Sequence, residues 1–221
     1  MSKSAFRSTT QRETMVATQV RPSNVRDPRV VKAMASIPRE AFVPRAYKGV
    51  AYVDEDIEVK PGRYLMEPRV LAKILAAAEI GPKDFVLEIG PATGYSTAIL
   101  ANLADAVVAL EEDQELAETA SATLEKLEIT NAVVINGPYR EGVARQAPFQ
   151  IIFINGAVDE VPGALLRQLD NGGRLVCVVR EAGVGHVRIF QNSNGHFGSR
   201  RLFDADVPLL PGFETKQPFV F

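Results

Sequence analysis

From residue 68 onward the chain alternates between amphipathic segments and short, continuously apolar segments, and this alternation restricts the folds that it can adopt. The spacing of apolar residues predicts helices over 68–79, 95–103, 114–127 and 161–169, and strands over 85–89, 106–110, 132–135, 151–154 and 174–179. Short apolar strands separated by amphipathic helices are typical of a parallel sheet that is covered on both faces. We therefore predict an α/β fold with a central, mostly parallel sheet.

The segment before this region has a different pattern. Asp27-Pro28 has the form of a helix cap and first helical position, and Pro38 ends the helix that follows. Residues 51–67 are predicted to be extended, with a turn at Pro61-Gly62 between two short strands. The N-terminal part of the chain is therefore expected to be helical first and extended afterwards.

The end of the chain also departs from the alternation. Residues 187–203 are predicted to form an antiparallel hairpin that turns at 192–195. We expect residues 1–67 to form an N-terminal helical and extended elaboration, and residues 68–221 to form the core of the same structural unit.

The composition excludes several kinds of site. The 221 residues include one cysteine, Cys177, which rules out an intrachain disulfide and a thiolate zinc cluster. Only His186 and His196 offer histidine chemistry, we assign a role to neither, and we expect no metal site. The hydrophobic content is 46%, no apolar run approaches the ~20 residues of a membrane span, and the N-terminus does not resemble a secretory signal. These features predict a soluble, cytoplasmic protein without membrane contact.

The formal net charge of −2 hides an uneven distribution of charge. Residues 1–50 contain ten Lys or Arg and three acids, whereas residues 51–130 contain sixteen acids and six bases. The basic segment has neither dense basic runs nor interleaved aromatic residues, which are the marks of nucleic-acid binding. We therefore expect no nucleic-acid partner and interpret the basic segment as solvated or packed on the acidic one, with an anionic substrate near this face left open.

A strand–turn–helix sequence at 86–97 indicates where a ligand binds, because it exposes backbone N–H groups at the carboxyl edge of the sheet. A dinucleotide site needs glycine at 90, 92 and 95, and only Gly90 meets that pattern. The alternative pattern has an acid two residues before the first glycine, and a second acid 23 positions later at the end of the next strand. Its residues here are Glu88, Gly90, Ala92, Gly94 and Glu111.

Two carboxylates at one crevice fit S-adenosylmethionine, which carries a cationic amine and a sulfonium and has no phosphate to repel. Glu111 would accept hydrogen bonds from both ribose hydroxyls. Two structural interpretations remain beside this one: Glu88 as an acceptor at a strand end, and Glu111 as part of the acidic first turn of a helix. The two acids together with the glycine turn favour binding of S-adenosylmethionine over these structural interpretations.

Several blocks of the chain resemble the protein-L-isoaspartate O-methyltransferase family. The blocks are Asp27–Met34, Ile37–Pro44, Ala51-Tyr52, Leu87–Tyr95, Val161–Val176 and Asp206–Leu209, and they span roughly residues 14–210. The resemblance implies a Rossmann-like class I S-adenosylmethionine-dependent methyltransferase fold with helices on both faces of the sheet and an N-terminal helical elaboration. It also implies transfer of a methyl group from S-adenosylmethionine to the free α-carboxylate of isoaspartyl residues in damaged proteins or peptides, a protein-repair activity.

The chain departs from this family in the loop that would cover the acceptor. The family reads Gly-Gln-Thr-Ile-Ser-Gln-Pro where this chain reads Gly-Arg-Tyr-Leu-Met-Glu-Pro, so Met66 occupies the position of the proposed catalytic serine. A thioether donates no hydrogen bond to a carboxylate, and Glu67 would repel an anionic substrate if it pointed inward. Arg63 would offset this repulsion as a carboxylate partner, the alternative being a solvated loop arginine.

The chain also departs from the family around the cofactor. Ala92 replaces the middle glycine of the turn, and Asn136-Gly137-Pro138 stands where the family has Gly-Asp-Gly. We therefore expect Asn136 or Gly137 near adenine. The alternative is that Asn136 only stabilises a turn. The resemblance assigns no catalytic residue here, because Met66 occupies the position of the family's serine. It implies a cofactor set of Glu88, Gly90, Ala92, Gly94, Glu111, Asn136 and Gly137, and an acceptor set of Arg63, Leu65, Met66, Glu67 and Asn155.

These departures leave three functions open. The first is an isoaspartyl-type carboxyl O-methyltransferase, and the second is a relative that binds the cofactor or a protein partner without this chemistry. The third is a methyltransferase for a different acceptor.

Overall fold

The computed structural model describes residues 3–215. Its α-helices are α1 Lys3–Met15, α2 Pro28–Ser36, α3 Pro68–Ala78, α4 Tyr95–Ala101, α5 Gln114–Lys126 and α6 Gly163–Leu166, beside a π-helical turn at Val16–Val20 and short 3-10 helices. Its strands are β1 Ile57–Lys60, β2 Arg63–Leu65, β3 Phe85–Ile89, β4 Ala106–Glu111, β5 Ala132–Asn136, β6 Phe149–Val158, β7 Leu169–Glu181, β8 Val184–Ser193 and β9 His196–Asp204. Within this range, no helix is both long enough and apolar enough to cross a membrane.

Seven strands form one sheet in the order β5-β4-β3-β6-β7-β8-β9, and β1 pairs with β2 in a separate hairpin. The neighbours from β5 to β7 run parallel, whereas β8 and β9 are antiparallel additions at one edge. The chain moves outward from β3 to β5 and then returns to the other side of β3 with β6. Such a reversal opens a crevice at the carboxyl ends of the two central strands. The predicted mostly parallel α/β fold is confirmed.

The sheet is buried on both faces because its central strands are continuously apolar. Val86 of β3 belongs to an apolar cluster that includes residues of α3 and α4. The next residue, Leu87, belongs to a second cluster with Leu165 of α6. Because successive side chains of a strand point to opposite faces, the two clusters lie on opposite sides of the sheet.

The N-terminal elaboration packs on the first of these clusters. The carboxylate of Asp27 accepts a hydrogen bond from the backbone N–H of Arg29 at 2.8 Å, and Pro28 opens α2, as the sequence predicted. The buried residues Val30 and Met34 of α2 belong to the same cluster as the buried face of α3. The predicted turn at 61–62, between β1 and β2, is also confirmed.

Three predicted elements differ most from the observed ones, and the first is the strand predicted over 151–154, which extends over Phe149–Val158. The helix predicted over 161–169 is limited to residues 163–166, because the carbonyl of Gln168 already accepts a sheet hydrogen bond from the Phe149 N–H at 2.9 Å. The following strand begins at Leu169 instead of 174, with a register shift between the pairs Phe149–Leu169 and Ile151–Arg174. The hairpin predicted at the end of the chain is confirmed as β8 and β9.

Candidate cofactor cleft

The predicted glycine turn lies at the carboxyl end of β3, in the crevice that the strand order creates. The N–H of Gly90 donates to the carbonyl of Leu110 at 2.9 Å, which fixes the turn on the neighbouring strand β4. Ala92 has a φ of 51°, a left-handed conformation that costs a non-glycine residue roughly 1–2 kcal/mol. The family's glycine at this position is free of that cost. The turn keeps its shape here without a glycine at its centre.

Glu88, the first of the two predicted cofactor acids, is completely buried. Thr97 of α4 donates to its Oε2 at 2.6 Å. Burial raises the pKa of Glu88 from 4.5 to about 7, although the hydroxyls of Ser96 and Thr97 oppose the shift. The carboxyl is therefore divided between its neutral and ionised forms near neutral pH.

Glu111, the second acid, is completely buried and its carboxylate is fully hydrogen-bonded by the protein. Arg63 binds it in a bidentate manner, with Nη1 to Oε1 at 2.5 Å and Nη2 to Oε2 at 2.8 Å. The backbone N–H groups of Ala92 and Asp113 donate at 2.9 and 3.0 Å, and the Tyr139 hydroxyl donates as well. Because a carboxylate has about four lone-pair sites, this arrangement leaves none for ribose hydroxyls.

Arg63 is neither the partner of an acceptor carboxylate nor the solvated loop arginine that the sequence analysis considered. Its guanidinium is neither solvated nor free for an acceptor carboxylate, because it is 7% exposed and paired with Glu111. Its Nη1 also donates to the Tyr139 hydroxyl at 2.5 Å, and its Cζ lies 5.5 Å from the Tyr139 ring centroid. Tyr139 was missed from the sequence, although it follows the turn at 136–138 that the family places near adenine.

The last described part of the chain crosses the same cleft, and we call residues 205–215 the strap. It is attached to the end of β6, where Ala157 donates to the Pro208 carbonyl at 2.9 Å and accepts from the Leu210 N–H at 2.8 Å. Asp159 extends this attachment by donating its N–H to the Phe213 carbonyl at 3.3 Å and accepting from the Thr215 N–H at 2.8 Å. Leu210 and Phe213 are both buried, and neither was predicted to lie in the site.

The strap fills the space above the glycine turn. A Cβ added to Gly90 would lie 2.9 Å from the Leu210 side chain, and one added to Gly156 would lie 3.0 Å from it. Phe213 stacks on Tyr139, with ring centroids 6.2 Å apart and planes at 23°. A cavity of about 20 Å³ remains beside Arg63, Asn155 and Leu210. That volume holds about one water molecule, so the space between the strap and the loop at 62–66 has no room for a ligand of the size of S-adenosylmethionine.

Of the predicted acceptor residues, Arg63, Met66 and Asn155 line this cavity, whereas Leu65 and Glu67 are not part of its lining. Leu65 and Met66 are buried, and their carbonyls accept hydrogen bonds from Arg39 Nη2 at 3.5 and 2.9 Å. Glu67 pairs with the exposed Arg69 at 3.3 Å, and its backbone N–H donates to Asp56 Oδ1 at 2.7 Å. Burial raises the pKa of Asp56 to about 6. The loop is held mainly through its backbone.

Asn155 lies across the cavity from that loop. Its Nδ2 donates to Ser96 Oγ at 2.8 Å. Its Oδ1 is buried and has no hydrogen-bond partner within residues 3–215. This oxygen is an unused acceptor next to the predicted acceptor loop.

Asn136 and Gly137, predicted near adenine, lie at the end of β5. The Asn136 amide donates to the carbonyls of Glu111 and Glu112 at 2.9 and 3.1 Å, and the Gly137 N–H donates to the Glu111 carbonyl at 3.1 Å. These bonds join the ends of β4 and β5. Both residues lie next to Glu111, but their N–H donors bind backbone carbonyls in this structure.

The arrangement of strand ends matches one group of known proteins. A profile of the protein-L-isoaspartate(D-aspartate) O-methyltransferase family matches residues 10–205. A protein-L-isoaspartate O-methyltransferase of Koribacter versatilis is 41% identical over 200 residues, which cover 90% of each chain. One of Methylorubrum extorquens is 37% identical over 209 residues, which cover 94% of this chain and 91% of the relative.

Solved structures agree with the sequence matches. A protein-L-isoaspartate O-methyltransferase superposes with a TM-score of 0.81 at 25% identity, covering 91% of this chain and 66% of that one. A protein described as a putative protein-L-isoaspartate O-methyltransferase from Plasmodium falciparum, in complex with S-adenosyl-L-homocysteine, superposes with a TM-score of 0.77 at 19% identity, covering 90% of this chain and 97% of that one. The second likeness shows the fold. With the sequence matches covering most of its length, this chain belongs to the protein-L-isoaspartate O-methyltransferase family.

Proposed function

We propose that the protein is an S-adenosylmethionine-dependent carboxyl O-methyltransferase that acts on the α-carboxylate of isoaspartyl residues in proteins or peptides. The family match over residues 10–205 carries this proposal. The presence of Glu88 and Glu111 at the ends of two adjacent parallel strands supports it, because these are the positions from which acids reach the cofactor of this fold. We further propose a cytoplasmic location and no nucleic-acid partner.

The chemistry makes modest demands on the protein. S-adenosylmethionine, when bound, supplies a methyl group already activated on a sulfonium. The acceptor carboxylate is ionised at neutral pH, so it needs positioning and not a general base. Replacement of the family's serine by Met66 therefore removes one positioning hydrogen bond and leaves the reaction itself accessible.

Asn155 and Met66, which line the small cavity, and the neighbouring Glu67 are suited to positioning the acceptor. The free Oδ1 of Asn155 can accept an N–H from the substrate backbone. The carboxylate of Glu67 is paired with Arg69, which reduces its repulsion of an anionic acceptor. Met66 contributes an apolar surface next to them. With the cofactor set named above, these residues are the site that we propose.

Two measurements test the proposal. Calorimetric titration with S-adenosylhomocysteine should show binding, and incubation with an isoaspartyl peptide and methyl-labelled S-adenosylmethionine should show transfer of label. The matched control is the same peptide with a normal aspartyl linkage. Transfer no greater than that of a heat-killed sample would refute the repair activity.

A second candidate is a relative that binds the cofactor without this methyl transfer, and Met66 is the observation that favours it. The variant Met66→Ser Glu67→Gln restores the family's residues at both positions. If the natural chain lacks transfer and this variant has it, the second candidate replaces the first. If both transfer methyl at similar rates, the second candidate is wrong.

A further inference from the structure

Two separate parts of the chain occupy the cleft where the proposed cofactor belongs. We propose that Arg63 and the strap act as an intramolecular lock, which fills the cofactor cleft in the resting protein and has to leave before S-adenosylmethionine binds. This inference rests on the proposed function, because it takes S-adenosylmethionine as the competing ligand. It adds an autoinhibited resting state to that function.

The polar half of the lock is Arg63. Its two terminal nitrogens donate to the two oxygens of Glu111, which is the hydrogen-bond pattern expected of two ribose hydroxyls. The same oxygens also accept from Ala92, Asp113 and Tyr139, so a ribose can reach them only after Arg63 has left. Arg63 is thus a direct competitor for the Glu111 carboxylate.

The apolar half of the lock is the strap. Leu210 lies against Gly90 and Gly156, the two glycines that would otherwise allow a ligand to approach the backbone. Phe213 packs on the ring of Tyr139, and the Cζ of Arg140 lies 5.6 Å from the Phe213 centroid. A tyrosine ring and a guanidinium that hold an aromatic side chain in this way are also suited to hold a purine base.

The lock is attached in a way that permits release. Arg63 lies in β2, a three-residue strand whose partner is β1 alone, and an isolated two-stranded hairpin is marginally stable. The strap is joined to the main sheet by the bond from the Ala205 N–H to the Gly185 carbonyl of β8 at 3.1 Å, by one isolated bridge between Ala157 and Leu209, and by the bonds to Asp159. Both parts can therefore move while the seven-stranded sheet stays paired.

Hydrogen exchange gives a test on the natural protein. A ligand that enters a preformed site protects the amides around it, whereas displacement of the strap exposes the amides of Leu210 and Phe213. We expect saturating S-adenosylhomocysteine to speed exchange at these two amides and to leave the amides of β3 protected. Binding with both strap amides as protected as before would overturn the inference and leave the proposed function standing.

A variant pair tests the polar half. Arg63→Gln should lower the dissociation constant of S-adenosylhomocysteine by about tenfold or more, because it raises the fraction of molecules with an open cleft. The matched control is Arg188→Gln, which breaks the ion pair at 2.7 Å between Arg188 of β8 and Glu181 of β7 and should leave the affinity unchanged. Equal affinity of the natural chain and Arg63→Gln would refute the lock.

A third variant covers the case in which Arg63→Gln fails to fold. Leu210→Ala keeps Glu111 paired and shortens the strap's contact with the glycine turn, so it should tighten binding in the same direction. If the natural chain and both variants are folded by circular dichroism and none binds S-adenosylhomocysteine at millimolar concentration, the proposed function falls and the lock falls with it. If only the variants bind, both proposals are supported.

Discussion

Replacement of Glu88 by glutamine is expected to stabilise the protein at alkaline pH and to change its stability little near pH 5. Burial raises the pKa of Glu88 from 4.5 to about 7, so the folded protein holds this proton more tightly than the unfolded chain does. Ionisation therefore costs the folded state free energy as the pH rises from the unfolded value through the folded one. Glutamine has nearly the same shape, stays neutral, and retains an oxygen to accept the bond from Thr97.

The size of the effect follows from the shift. A difference between 4.5 and about 7, at ~1.4 kcal/mol for each pH unit, gives roughly 3 kcal/mol above pH 8. Near pH 5 the carboxyl is already mostly protonated in the folded protein, and the difference between variant and natural chain falls below ~1 kcal/mol. The advantage of the variant should therefore grow by about 2–3 kcal/mol between pH 5 and pH 9.

Urea unfolding followed by circular dichroism at several pH values measures this difference directly. Thermal unfolding should agree, with a gain of roughly 5–10 °C for the variant at pH 9. The matched control is Glu125→Gln on the exposed side of α5, where the carboxylate is solvated whether the chain is folded or not. A stability difference for Glu88→Gln that stays constant from pH 5 to pH 9 would refute the argument that burial keeps this carboxyl partly neutral.

Two further substitutions test the packing described above. Phe213→Ala should lower the free energy of unfolding by about 3–5 kcal/mol, because the ring is fully buried on Tyr139; a loss below ~1 kcal/mol in urea unfolding would contradict a packed strap. Asp27→Ala should cost about 1 kcal/mol through loss of the cap on α2, whereas Asp27→Asn should cost much less; equal losses would show that the capping bond is not responsible.

The central sheet could be predicted because its signal is local. The short apolar run at 85–89, which is followed by a glycine turn, is typical of a buried strand, and the strand of the structure has the same bounds. Glu88 and Glu111 could likewise be placed at one crevice, since parallel strands align their carboxyl ends and the β3–β4 register does so here. The helix at 161–169 was overestimated because its end depends on the sheet bond between Gln168 and Phe149, which no local pattern shows.

Local sequence patterns could not predict which side chains fill the cleft. Arg63 and Glu111 are 48 positions apart, and nothing in the loop sequence distinguishes an arginine that turns inward from one that is solvated. Leu210 and Phe213 lie in a segment rich in proline and glycine, where the spacing of apolar residues does not indicate which side chains are buried. Long-range contacts decide these positions, so geometry was needed to find them.

Arg39 shows how the acceptor loop tolerates changes in its side chains. This arginine is fully buried, its Nε donates to the Ala51 carbonyl at 2.7 Å, and its Nη2 donates to the carbonyls of Leu65 and Met66. Every one of these acceptors is a backbone oxygen, which any amino acid supplies. The bonds from Arg39 thus hold the backbone of the loop whichever residues stand at positions 65 and 66, so apolar side chains there can be exchanged, by evolution or by redesign, at a fixed place in the molecule.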